Sequence, residues 1–340
     1  MRFSLEVRVW RGAILESRHD IHAALSDPAG SLAAATAEPG RVTSFRSAAK
    51  PFQLLPLVER GHAERWGFGD EQLAVMAASH TGSPYHLELV AGILGRLGLS
   101  DRDLACGFHE PLDPVSLADI RAHPESRSPL YNNCSGKHAG MLCLALSEGW
   151  PTSGYQLAAH PVQQLMRRTV GELAGLDPGS LEVAVDGCSV SVFGLPLESM
   201  ARAYARLAAA RDRGDARERA LDRIRRAMCG FPRATGGEGR LSSELMEKTG
   251  GRLVAKGGAE ALECAGLTAK GLGLALKCED GAGRAIGPAL VALLEWLGEL
   301  DAGEVESLAA HARPVVKNVA GLECGRIEAA LEVSVAARGS

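Results

Sequence analysis

Arg46-Ser47-Ala48-Ala49-Lys50-Pro51 separates two kinds of pattern in this sequence. Upstream of it, apolar residues recur at every second position. Phe3, Leu5, Val7 and Val9 alternate with Ser4, Glu6 and Arg8, which predicts a half-buried strand over residues 3–9. Arg11-Gly12 signals a turn and Ala13–Arg18 a returning strand. Ile21–Ser26 and Leu32–Thr36 predict two more strands around the turn Asp27-Pro28-Ala29-Gly30. Downstream, the pattern becomes helical. Asp70 reads as an N-cap before Glu71–Ala78, and Pro84 as the first residue of a helix reaching Leu97, with Gly98 beyond it. Further helices are predicted at Ser135–Leu146, Pro161–Ala174, Pro196–Ala210 and Ala216–Met228, with a short buried strand at Leu181–Val185. After about residue 250 strand signals return at Arg252–Ala255, Leu272–Cys278 and Arg326–Val335, interrupted by a helix over Gly287–Leu297.

Sheet signals at both ends of the chain must bury their apolar faces, and pairing them into one sheet does so. The fold class expected is α+β. An antiparallel sheet from both chain ends packs with helices, beside a helical subdomain. As one catalytic domain over residues 1–340, the sheet portion takes about 1–45 and 250–340 and the mainly helical portion about 46–249.

A chain of 340 residues, 46% of them hydrophobic, buries a sizeable core without staples. The net charge of −4 lacks the basic excess of a nucleic-acid binder. The N-terminus has no apolar run typical of a signal peptide, and no stretch approaches the length of a spanning helix. The expectation is a cytoplasmic protein with no nucleic-acid partner and no membrane partner. The eight cysteines are scattered, without CxxC pairs. In a reducing compartment that predicts no disulfide framework, but buried thiols with a few ligands among them.

Four segments carry candidate chemistry. Ser47 and Lys50 are spaced i, i+3, so a helix opening there would put both on one face. A lysine near the positive end of a helix dipole, and buried, has a lowered pKa. In its neutral form it can take a serine proton. Ser-x-x-Lys also arises at helix starts with no such role. Ser79-His80-Thr81-Gly82 supplies a second serine, and Lys256-Gly257-Gly258 follows a strand. That order is similar to penicillin-binding proteins and serine β-lactamases. Thr81 stands where those proteins carry Asn, and Gly257 where they carry Ser or Thr. The likeness is therefore to their architecture rather than to their β-lactam signatures.

The fourth segment is Tyr131-Asn132-Asn133-Cys134-Ser135-Gly136-Lys137-His138-Ala139-Gly140. Its Gly-Lys pair is not a phosphate loop, because position 131 would have to be Gly. Cys134 and Cys188, the latter beside Asp186, read either as small buried hydrophobes or as thiolate ligands of zinc. From spacing alone His138 would be the nitrogen donor.

Taken together, Arg46–Gln53, Ala78–Gly82, Cys106-Gly107, Asn132–Met141, His160–Gln163, Asp186–Cys188 and Ala255–Glu260 resemble the rhizobial-type L-asparaginases, the asparaginase II family (class 3), from the first strand to Ala285 at least. The Asn-Asn-Cys-Ser-Gly-Lys-His run is the most specific of these. The resemblance implies a fold similar to serine β-lactamases and glutaminases, and an L-asparaginase converting L-asparagine to L-aspartate and ammonia. It implies the catalytic residues Ser47 with Lys50 and Ser79 with Lys256, without deciding which serine attacks. It implies a zinc site of Cys134, Lys137 and Cys188, with lysine in place of the histidine that spacing suggests. Arg46 and Asp186 would meet the α-carboxylate and α-ammonium of the substrate, with His80 and Asn133 as further contacts. A homodimer is implied as well. One departure stands out. Some relatives carry a reactive cysteine near Gly239-Arg240, and here that stretch continues Leu241-Ser242-Ser243. Alternative expectations are a glutaminase or another amidohydrolase of the same fold, or a zinc-dependent amino-acid-binding protein without activity.

Overall fold

The computed structural model describes residues 1–334. The strands are β1 (Arg2–Arg11), β2 (Ile14–Ser26), β3 (Leu32–Ala35), β4 (Val42–Ser44), β5 (Glu182–Val185), β6 (Ser191–Pro196), β7 (Leu253–Gly258), β8 (Leu262–Leu267), β9 (Leu272–Cys278), β10 (Val315–Lys317) and β11 (Glu323–Ser334). Phe3, Leu5, Val7 and Val9 are buried while the residues between them reach solvent, as the alternation requires.

Both chain ends enter one eight-stranded sheet in the order β10-β11-β1-β3-β2-β9-β8-β7. β1 runs antiparallel to β11, with Phe3 opposite Val333 and Val9 opposite Ile327. β2 runs antiparallel to β9, from Ile21 opposite Cys278 to Ser26 opposite Gly273. The α+β class and the sheet from both chain ends are as expected. The two strands predicted on either side of His19 are one continuous β2, and Val335 lies outside the described residues.

The chain divides into two compact units. One contains Met1–Thr43, Leu195–Ala209 and the chain from Glu244 onward, and holds the eight-stranded sheet. The predicted helix near Pro196 is observed at Leu197–Ala209 and belongs to this sheet unit rather than to the helical portion. Its placement depends on glycine. Gly266 and Gly273 are cross-strand partners. A Cβ on Gly273 would stand 2.0 Å from Ala201 O, and one on Gly266 would stand 2.9 Å from the Ala208 Cβ. Two bare positions on the sheet thus let an alanine-faced helix lie directly on it.

The other unit contains Ser44–Gly194 and Ala210–Ser243 and is mainly helical. Its helices include Lys50–Glu59, Asp70–Met76, Pro84–Arg96, Ser135–Glu148, Pro161–Ala174 and Ala216–Gly230. Gly69, not Asp70, occupies the N-cap position. The strand predicted at Leu181–Val185 is observed at Glu182–Val185, paired with β6, but it is exposed rather than buried, with Val185 78% accessible. Among the described residues no helix is long and apolar enough to cross a membrane.

Candidate active site

Four short segments of the helical unit bring its candidate residues together. The first begins at Phe45, whose N–H donates to Phe193 O. Arg46 then takes φ +44°, a left-handed conformation that costs an L-residue about 1–2 kcal/mol. A 3₁₀ turn over Arg46–Ala49 carries Ser47, and the α-helix starts at Lys50 with Pro51 in its first turn. Ser47 is half-buried, and among the described residues its hydroxyl has no hydrogen-bond partner.

Lys50 is fully buried. Its Nζ donates to Ala78 O at 2.5 Å and to Ser79 Oγ at 2.8 Å. The sequence pairs Lys50 with Ser47, three residues before it; the hydrogen bond the structure shows is to Ser79. Burial is the main cause lowering the Lys50 pKa. The Lys137 charge adds to it, while Cys134 and Cys188 oppose it.

The second segment follows the helix Asp70–Met76. The Ser79 N–H donates to Thr235 O, and the His80 N–H to Asn133 O. His80 has no exposed surface. Gly82 N–H donates to its Nδ1, so Nε2 carries the proton and donates to Ser135 Oγ at 2.9 Å; that hydroxyl passes on to Leu130 O. Burial pushes the pKa of His80 well below the ordinary histidine value, so the ring is neutral. It stacks on His86, with centroids 5.0 Å apart. His80 is thus committed to holding the loop beside Ser79.

The third segment is the start of the helix Ser135–Glu148. Asn132 anchors it from three sides. Its Nδ2 donates to Cys106 O and Gly107 O, and its Oδ1 accepts from the Cys134 N–H. A Cβ on Gly136 would lie 2.1 Å from Val75 O, so only glycine lets this helix start pack against the residues preceding Ser79. Asn133 Oδ1 lies 3.2 Å from Cys134 Sγ. The two ends of an amide are interchangeable here, and a thiolate at Cys134 calls for the NH₂ end.

The fourth is the tip of the β5–β6 hairpin. The Asp186 N–H donates to Val190 O and the Ser189 N–H to Asp186 O, a tight turn with Ser189 at φ +74°. It presents Asp186 to Arg46, Nε to Oδ1 at 2.9 Å. It presents Cys188 to Lys137, Nζ to Sγ at 3.0 Å.

Cys134, Lys137 and Cys188 are each about 4% exposed and form one chain of hydrogen bonds. A hydrogen bond from Cys188 is the main cause lowering the Cys134 pKa, aided against burial by Lys137 and Lys50. The same hydrogen bond, with burial, raises Cys188. Burial alone would lower Lys137, but Cys134, Cys188 and Asp186 together raise it. Burial raises Asp186, yet Lys137, Arg46 and the Gly187 amide outweigh it and its pKa is lowered. Ammonium, thiol and thiolate together are neutral. A divalent ion replacing one proton from Lys137 and one from Cys188 would leave them neutral, so the donor set fits zinc.

His138, the nitrogen donor that spacing suggests, is buried with Nδ1 held 2.6 Å from the Tyr155 hydroxyl. Its Nε2 is buried and has no hydrogen-bond partner among the described residues. Burial raises four of the other thiols, with Cys106, Cys143 and Cys229 at about 12 and Cys278 at about 11, so they are poor nucleophiles. Among the described residues no cysteine is joined in a disulfide. Lys256 lies on β7 in the sheet unit, 4% exposed.

Three residues that sequence reasoning missed complete the site: Asn132, Ser135 and Tyr155. The first two belong to the polar run around Cys134 and could have been singled out for it. Tyr155 carries no local signal.

A family model described as L-asparaginase II matches residues 7–329. No curated protein matches the chain. Among solved structures, one similar chain is described as a beta-lactamase from Mycobacterium bovis. It is 14% identical, covers 76% of this chain and 86% of that one, and has a TM-score of 0.37, too loose a likeness to carry a conclusion.

Proposed function

The chain belongs to the L-asparaginase II family and is an asparaginase, and from that premise we propose that it releases ammonia from L-asparagine by acyl transfer through a serine activated by Lys50. The observation that carries this reading is a buried lysine of lowered pKa whose Nζ stands 2.8 Å from Ser79 Oγ. Neutral Lys50 takes the proton of Ser47, one 3₁₀ turn before it, and Ser47 Oγ attacks the side-chain amide carbon. Backbone N–H groups near Ser47 hold the developing oxyanion, an interaction commonly worth about 3 kcal/mol. The proton passes from Lys50 through Ser79 to the amide nitrogen, the C–N bond breaks and ammonia leaves. Water then cleaves the β-aspartyl ester with Lys50 as base. The family resemblance assigns Lys256 to Ser79 as the second Ser-Lys pair.

Arg46 and Asp186 pair with each other. An amino-acid zwitterion entering between them exchanges that contact for two charge-assisted ones, carboxylate on Arg46 and ammonium on Asp186. The resemblance adds His80 and Asn133 as further contacts; His80, with no exposed surface, would act through the loop it holds. Cys134, Lys137 and Cys188 would hold zinc, which when bound supplies a fixed positive charge that orders the polar groups around it. The resemblance also implies a homodimer, which light scattering tests.

One observation favours a second reading. Ser79, not Ser47, is the hydroxyl that Lys50 touches, and it would then be the nucleophile. The location of the acyl adduct separates the two. The reaction itself is tested by coupled ammonia release from asparagine and from glutamine, with and without a chelator. Asparagine is expected to be the better substrate; glutamine turnover exceeding it would make the chain a glutaminase. Asparagine binding without ammonia release would leave an amino-acid-binding protein.

A further inference from the structure

Beneath Lys137 lies a small cavity between the helices Lys50–Glu59 and Ser135–Glu148, lined by Gln53, Lys137 and the apolar side chains of Leu54, Leu57, Met76 and Met141. It leaves about 10 Å³ open to the centre of a water-sized sphere, which is room for one water molecule. Two of its lining residues carry polar groups short of partners. Gln53 is 5% exposed, and its Oε1 is fully enclosed with no hydrogen bond among the described residues. Lys137 Nζ makes one hydrogen bond, to Cys188 Sγ. An ammonium has three N–H donors and an amine two, so at least one remains over in either state. Gln53 Oε1 is the strong acceptor on that wall, and leaving both groups unpaired in an apolar cavity would be costly.

We infer that Gln53 is a positioning residue for Lys137: one water in this cavity accepts from Nζ and donates to Gln53 Oε1, fixing the direction in which the lysine presents its nitrogen to the two cysteines. The inference rests on the reading of Lys137 as a member of the zinc set. Outer partners of this kind orient the groups that hold a metal, and their loss typically weakens metal affinity 10–100-fold.

The test uses the full chain and Gln53→Leu, with Gln53→Met as a second variant should the first fold poorly, and Gln53→Glu to keep an acceptor. Zinc affinity is measured by competition with a chromophoric chelator, and crystals of the zinc-free wild type are examined for density in the cavity. We expect a water bonded to both Gln53 and Lys137, binding weakened 10–100-fold in the leucine and methionine variants, and recovery in the glutamate variant. Equal zinc affinity in all four proteins overturns the inference, as does a cavity without density. A wild type that takes up no zinc would instead refute the zinc reading; density joining Gln53 to Lys137 would then still support the positioning role, and its absence would refute that as well.

Discussion

Gly136→Ala and Gly140→Ala make a matched pair on one helix, and they should shift stability in opposite directions. Both replace a helical glycine, and each gains up to about 1 kcal/mol of helix propensity. Their surroundings differ. A Cβ added at Gly140 would meet the Met76 side chain at 3.4 Å, a contact that a flexible neighbour accommodates. A Cβ added at Gly136 would meet the backbone oxygen of Val75 at 2.1 Å and its carbonyl carbon at 2.8 Å. Relief requires one helix to move by about 1 Å, and forced overpacking of a core costs typically 1–3 kcal/mol. The steric cost in Gly136→Ala therefore exceeds the propensity gain by up to about 2 kcal/mol. The two variants should differ by about 1–3 kcal/mol, roughly 5- to 150-fold in the folding constant. Urea unfolding followed by circular dichroism measures this as a difference in midpoint at equal slope. Gly136→Ala should also lose ammonia release, since the displaced segment carries Cys134 and Lys137. A Gly136→Ala protein as stable as Gly140→Ala would refute the close approach on which the site is built.

Lys50→Met should lower kcat by about 10²–10⁴-fold with folding retained, as loss of a general base does. In the wild type, kcat/KM should rise with pH through the lowered pKa of Lys50, since only the neutral amine accepts a proton; a rate that falls over that limb would contradict the assignment. Arg46→Lys should raise KM more than it lowers kcat, because a lysine cannot reproduce the fork that meets a carboxylate; initial rates against asparagine concentration decide it. His80, His86 and His138 are buried with lowered pKa values. Unfolding lets them bind protons that the folded state refuses. Stability should therefore fall as pH drops below about 6.5, each histidine contributing up to about 1.4 kcal/mol per pH unit. His80→Gln should flatten that slope in urea titrations.

The parts of the fold legible in the sequence were those set by local chemistry. Pro84 opens its helix, Leu272–Cys278 is the strand the pattern predicts, and residues 3–9 alternate as their burial requires. β8 escaped because Leu262–Leu267 is buried at every position and so shows no alternation. Val183 and Val185 suggested burial, yet an edge strand exposes them. In the site, residue identities were legible and pairings were not. Lys50 meets Ser79 across 29 positions of sequence, and no spacing rule reaches that far. The same limit applies to His138, whose Nδ1 meets the Tyr155 hydroxyl across 17 positions of sequence. The cavity between Gln53 and Lys137 depends on how two helices pack, which no single segment records.

The central claim is that Lys50 activates a serine for covalent attack. Mixing the enzyme rapidly with asparagine, quenching in acid and mapping the peptides by mass spectrometry tests it most directly. The account predicts one β-aspartyl group on the peptide holding Ser47, absent from Ser47→Ala and from Lys50→Met, and ammonia release lost with it. Full ammonia release by Ser47→Ala, with no adduct on either Ser47 or Ser79, would contradict it.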